Sequence, residues 1–282
     1  MNKRKIEEKI FNVLMRLSAF IIFGSLIVIS ATILIKGIPS FNLDMITKTP
    51  SGGFYMGKQG GVLNAIVGSF YLASGATLFA LIICVPVVIY INIYASQGSK
   101  LVMYTRLCFD IMFGIPSIVY GAFGFVLMIF LGMSVSLLAG IITVGLLIVP
   151  IIARTMDEVM RQVPGELKEA AYSLGATKWE TAIKVVLKQC LPGVATAALL
   201  GFGRAIGDAA SVIFTAGFTD NIPHSLNDPA ATLPLAIFFQ LGSPIEEVRD
   251  RAYAAALILT VIIFAISLLS RLIIRRFSKN TI

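Results

Sequence analysis

RTMDEVMRQVPGELKEAAYSLGATKWETAIKVVLKQCLPG, residues 154–193, is a polar stretch between two long apolar runs, and its punctuation decides the fold. Pro164 near the start and Gly175 just past the end delimit a short helix over Pro164–Leu174. A second helix opens with Thr177 and Glu180, the T-x-x-E capping box in which each side chain satisfies a backbone donor of the other residue. Beyond it Trp179, Ala182, Ile183, Val186, Leu187 and Cys190 recur at helical spacing, with Thr181, Lys184 and Lys188 facing away. Such a helix is too charged to span a bilayer and too amphipathic to stand free in water. It is expected at the inner membrane surface or against a bundle. Helix, glycine turn and helix make a knob, and two ordered caps favour a docking element over a merely structured loop.

The flanking runs are apolar because the whole chain is. Of 282 residues, 57% are hydrophobic and 13% charged, and the mean hydropathy is +0.89, so water is not the solvent for most of the surface. The net charge of +8 comes from short segments between apolar runs rather than from one soluble face, which excludes nucleic acid as the partner and points to a lipid bilayer. Cys84, Cys108 and Cys190 lie in or beside apolar segments without C-x-x-C spacing and read as small hydrophobes.

Six runs reach the length of about 20 residues that a spanning helix needs, near 17–36, 66–93, 107–131, 134–153, 193–217 and 252–274. The first follows a charged N-terminus like that of a signal peptide, but Ser18–Ile35 is too long for an h-region and no A-x-A site follows, so it is expected to stay as a span. With the N-terminus inside, seventeen Lys and Arg fall in cytoplasmic segments and only Lys36, Lys48, Lys58, Arg249 and Arg251 outside. That bias puts both termini in the cytoplasm of a multi-pass protein of the cell membrane. The fold class is all-α polytopic, with six transmembrane helices.

The remaining basic residue is Arg204, in GFGRAIGDAASVIF, residues 201–214. About 11 residues into the fifth run it lies roughly 16 Å deep, where a charge costs about 2.5–3.5 kcal/mol and must face the bundle interior or a cavity. Asp208 follows at i+4, on the same helical face. The pair is either a self-contained ion pair that fixes packing or a substrate contact, in which Arg204 offers a guanidinium fork to an oxyanion and Asp208 accepts from a protonated oxygen or restrains Arg204.

Other features have plainer readings. GGFYMGK, residues 52–58, has Walker A spacing, but Gln59 stands where Ser or Thr must bind magnesium, and no strand precedes it. No catalytic triad or metal-ligand cluster is evident. Gly203 and Gly207 form a G-x-x-x-G that admits a neighbouring helix or leaves room beside Arg204. Asp110 is placed to pair with Arg106 at i+4, Pro116 to kink the third run, and His224 to be a surface residue of an outer loop over 218–251.

Glu169, Ala170, Ala171 and, three residues on, Gly175 resemble the EAA-x-x-x-G motif of ABC importer membrane subunits. That family usually has proline near the position of Lys188; here it comes later, at Pro192, implying a longer second helix. FGIPSIVYGAFG at 113–124, RAIGDAASVIFTAG at 204–217 and LPLAIFFQLGSP at 233–244 are similar to segments of phosphate-specific transport permeases, the last pointing to the A-type rather than the C-type partner. Those permeases carry an acidic residue four positions after the arginine, usually glutamate where this chain has Asp208.

The resemblance, covering most of the chain from Gly60 to Arg271, implies a type I importer permease of the MetI-like architecture. Residues 1–65 would hold the tail, first helix and outer loop, 66–275 the importer domain with coupling segment 154–192, and 276–282 a cytoplasmic tail. It implies a non-enzymatic transport subunit that moves inorganic phosphate past Arg204 and Asp208. Glu169, Ala170, Ala171 and Gly175 would dock on an ATPase dimer, which alone binds ATP and magnesium. The other implied partners are a homologous C-type permease and an extracytoplasmic phosphate-binding protein. The alternatives are an ABC permease for molybdate, sulfate or an organic nutrient, and a secondary transporter driven by an ion gradient.

Overall fold

The computed structural model describes residues 3–51, 59–96 and 98–278; GGFYMGK lies outside the described residues. Helix α1 covers Lys3–Ser40, and after one turn, α2 (Asp44–Thr47), the two-residue strands β1 (Pro50–Ser51) and β2 (Gln59–Gly60) pair antiparallel. Helix α3 (Leu63–Ile89) continues into a π-helical turn over Tyr90–Tyr94. Then follow α4 (Lys100–Gly114), α5 (Ser117–Phe130), α6 (Leu137–Arg161) and α7 (Gly165–Ser173). The short α8 (Lys178–Glu180) runs through a π-helical segment, Thr181–Leu187, into α9 (Lys188–Ile206), and α10 (Leu233–Leu241) and α11 (Glu246–Ser278) complete the chain.

Among the described residues, five helical stretches are long and apolar enough to cross a membrane: Glu7–Ser40, Leu63–Tyr94, Leu137–Arg161, Lys178–Ile206 and Glu246–Leu272. The α4 and α5 pair supplies a sixth crossing if its halves count as one span. Each apolar run therefore has a counterpart, with three differences. The third run is not a kinked helix but two helices bent by 103°. Pro116 forces Ile115 into an extended conformation, ending α4, and the Tyr120 hydroxyl reaches back across the bend to donate to the Met112 carbonyl at 2.8 Å. The fifth run is helical only to Ile206, and turns occupy most of 207–217. The second knob helix is not a separate surface helix but the root of the fifth span, continuous from Lys178 to Ile206.

The amphipathic stripe is corrected at its start. Ala182, Val186 and Cys190 are buried as expected, but Thr181, the first residue of the π-helical segment, is buried too, and Trp179 just before it is 62% exposed.

The core is the contact between α3 and α6. Ala73, Ala76, Ala80 and Val88 on one helix and Val144, Ile148, Ile152 and Met156 on the other are fully buried. Small side chains on α3 let the backbones close, which is how helices gain packing energy where lipid offers no hydrophobic drive. The segment expected as an outer loop folds back into the bundle: Ala230, Ala231, Thr232, Leu233, Leu235 and Ala236 are buried, and the Leu233 N–H donates to the Ser69 hydroxyl at 2.8 Å. A side chain at Gly68 would strike the Ala231 carbonyl, so this approach needs glycine. Helix α1 stands apart: its apolar window is unburied, and it packs chiefly along α11, with Lys36 Nζ 4.8 Å from the centre of the Tyr253 ring.

The expected Arg106–Asp110 pair does not form. Arg106 instead grips Asp157 of α6, Nε to Oδ2 at 2.9 Å and the terminal nitrogen to Oδ1 at 3.0 Å, while Asn92 donates to the same Oδ1 at 2.8 Å. Asp110 pairs with Arg154, also on α6. Two bridges thus tie α4 to α6, one buried and one half exposed. Arg106→Ala leaves Asp157 buried with its guanidinium partner gone and should cost about 3 kcal/mol, whereas Asp110→Ala should cost less than about 1 kcal/mol. Thermal unfolding in detergent checks this, with only Arg106→Ala expected to lower the midpoint by several degrees.

Candidate functional site

Arg204 and Asp208 come together, though not in mid-helix. Arg204 sits in the last turn of α9, and Asp208 lies two residues beyond the helix end. The Arg204 guanidinium meets Asp208 Oδ1 at 2.9 Å; the arginine side chain is 44% exposed and the aspartate 3%. The other carboxylate oxygen, Oδ2, accepts the Ser211 N–H at 2.9 Å and the Ser211 hydroxyl. Asp208 therefore caps the turn that replaces the helix, as a carboxylate caps a helix start. Sequence reasoning missed Ser211, although D-x-x-S after a glycine is a capping signal.

The electrostatic consequence is a division of labour. Both Asp208 oxygens are engaged, whereas no other group among the described residues bonds the guanidinium, whose five N–H donors exceed what one carboxylate oxygen accepts. A cation held from below by a buried carboxylate, with its outer donors facing open space, is suited to receive an oxyanion. The G-x-x-x-G serves both expected ends: a Cβ at Gly207 would lie 3.9 Å from Ile263 of α11, whereas one at Gly203 would meet nothing within 4 Å, so Gly203 leaves room beside Arg204.

The second site is the knob. Helix α7 buries none of its residues and carries Glu169 and Ala170 on its exposed surface, with Ala171 half exposed. It ends in a Schellman motif: the Gly175 N–H donates to the Tyr172 carbonyl at 2.9 Å and the Ala176 N–H to the Ala171 carbonyl at 3.1 Å. Gly175 takes φ +82°, a left-handed conformation that explains its place in the motif. The capping box forms as expected, with Glu180 accepting from the Thr177 N–H at 3.1 Å and donating its own N–H to the Thr177 hydroxyl at 3.2 Å. The reading of the residues singled out neither Leu174, 89% exposed, nor Tyr172 beside it; together they leave an uncovered apolar tip on a capped helix.

His224 is exposed in the segment between α9 and α10. Its backbone N–H and that of Ser225 donate to Asp228 Oδ2, each at 2.9 Å, and hold the Asp228 carboxyl below its ordinary range.

Residues 89–281 match the family of binding-protein-dependent transport system inner membrane components. The phosphate transport system permease protein PstA of Haemophilus influenzae is 32% identical over 270 residues, covering 95% of this chain and 94% of the relative. The protein of the same name from Yersinia pestis is 36% identical, covering 84% and 80%. A crystal structure of a bacterial alginate ABC transporter, in complex with alginate pentasaccharide-bound periplasmic protein, aligns over 99% of both chains with a TM-score of 0.67 at 15% identity, a likeness of fold alone. The chain belongs to the binding-protein-dependent inner membrane component family, in its PstA-type branch, and is a multi-pass ABC importer permease subunit.

Because open space surrounds Gly175, any substitution there is limited by backbone conformation alone. Gly175→Ala should destabilise the knob by about 1–2 kcal/mol and Gly175→Asn by less. Hydrogen exchange checks this: amides of 166–176 should exchange roughly tenfold faster in the alanine variant.

Proposed function

We propose that this chain is the A-type permease of an ATP-driven phosphate importer, with the Arg204 guanidinium as the oxyanion contact in its pathway. The observation that carries the reading is the geometry of that arginine: anchored by one oxygen of a buried aspartate, otherwise unengaged, and opening beside Gly203 where the helix stops. The naming of the relatives as phosphate transport permeases supports the substrate. Asp208 acts on the anion through Arg204, fixing the fork and weakening its hold so that release follows binding.

The partners belong to the same reading. Residues 66–275 form the importer domain, with both termini in the cytoplasm. The knob, through Glu169, Ala170, Ala171 and the turn at Gly175, seats on one subunit of an ATPase dimer. A C-type permease completes the pathway, and an extracytoplasmic binding protein delivers phosphate to it. The continuous helix from Lys178 to Ile206 supports a mechanical link, since movement of the knob at its root is carried to Arg204 at its far end.

Arg204→Ala should abolish uptake of labelled phosphate while leaving assembly intact, and unlabelled phosphate should compete with uptake where sulfate and molybdate do not; normal uptake by the variant, or inhibition by sulfate or molybdate alone, overturns the assignment. Glu169→Lys should lower copurification of the ATPase at least several-fold, and unchanged association refutes the docking role.

A further inference from the structure

The end of α3 with its π-helical turn, and α8 with the π-helical segment after it, enclose a groove of about 400 Å³ lined by Val85, Pro86, Ile89, Tyr90, Tyr94, Trp179 and Ile183. It has no part in the pathway or in the docking face of α7. Its lining is apolar apart from the aromatic tips, and the Tyr90 and Tyr94 rings stack at 6.2 Å along one wall. From Val85 to Tyr94 it extends about 13 Å along the span. Its deep end is thus part of an apolar spanning helix, and its shallow end bears Trp179, level with the capping box at the root of the fifth span.

The chain that supplies Trp179 and Ile183 also carries exposed lysines, Lys178, Lys184 and Lys188, and Glu180 within it is paired with Lys184 at 3.1 Å. The π-helical segment matters here. Where residues four and five apart are neighbours, Trp179, Ile183, Lys184 and Lys188 share one side of the helix, although α-helical spacing would turn both lysines away.

We infer that this groove is a binding site for an anionic phospholipid, with an acyl chain along the α3 wall and the phosphate at Lys184 and Lys188. The occupant must live in the bilayer at one end, which a soluble subunit cannot do, and carry negative charge at the other. Aromatic side chains with apolar bodies and polar tips suit the boundary between the two, and lysine stems reach the headgroup level while their ammonium groups stay in water. The inference stands whichever solute the importer carries.

Trp179 is the sole tryptophan of the chain, so it reports the groove directly. The purified full chain is reconstituted in vesicles containing either dibromo-phosphatidylglycerol or dibromo-phosphatidylcholine at equal bromine content, and quenching of Trp179 fluorescence is titrated. The glycerol lipid should bind more tightly, by about fivefold for each lysine engaged, and Lys184→Gln with Lys188→Gln should remove the preference while leaving quenching by the choline lipid. Equal quenching by both lipids in the unaltered chain overturns the inference, because it shows ordinary bilayer exposure. In the assembled transporter the signal is taken as the difference from a Trp179→Phe complex. Loss of quenching there also overturns it, since it shows that a protein subunit covers the groove.

Discussion

The Asp157 carboxylate, buried one turn before the end of α6, holds the half of the molecule next to the knob in register. A charge in that position is tolerable only when fully bonded, and three donors from two other elements converge on it: two from Arg106 of α4 and one from Asn92 of the π-helical turn after α3. Three chain segments are thereby fixed at the point where the polypeptide leaves the bundle. Val163 is still buried just beyond it, Pro164 is the N-cap of α7, and the chain returns through a helix packed along α6. The knob is therefore presented from a rigid base, and its own caps keep both of its helices ordered up to the turn.

At the opposite end of the fifth span another buried carboxylate does a different task. Asp157 joins helices, whereas Asp208 ends one and holds a cation at the edge of open space. The two sites are connected through covalent structure, since the helix that leaves the knob is the one that terminates in Arg204. One unbroken helix thus joins the root of the knob to the turn where Arg204 meets Asp208.

The parts legible in the sequence were those written in local chemistry. Run lengths located every crossing, proline and glycine bounded α7, and Thr177 with Glu180 announced the next helix. Arg204 and Asp208 were paired correctly by their spacing, even though the helix stops between them. What spacing could not supply was choice among partners at long range. Arg106 and Asp110 are ideally separated for each other, yet each finds a better-placed group on α6, 51 positions on in the case of Arg106. The π-helical segment was equally hidden, because no residue in TAIKVVL forbids ordinary α-helix. Pro116 was visible as an irregularity, but the size of the bend depends on what α5 packs against, and that is tertiary information.

The bend at Pro116 also bears on how the protein enters its membrane. With 15 and 14 residues, α4 and α5 are each about 21–23 Å long, short of the hydrocarbon thickness of about 30 Å. The first half moreover emerges from the ribosome bearing Arg106 and Asp110 before either partner on α6 has been made. Neither half spans the hydrocarbon alone, and the charges of α4 find their folded partners only on α6, so the stretch from Lys100 to Arg161 becomes a complete membrane element only when its three helices are together.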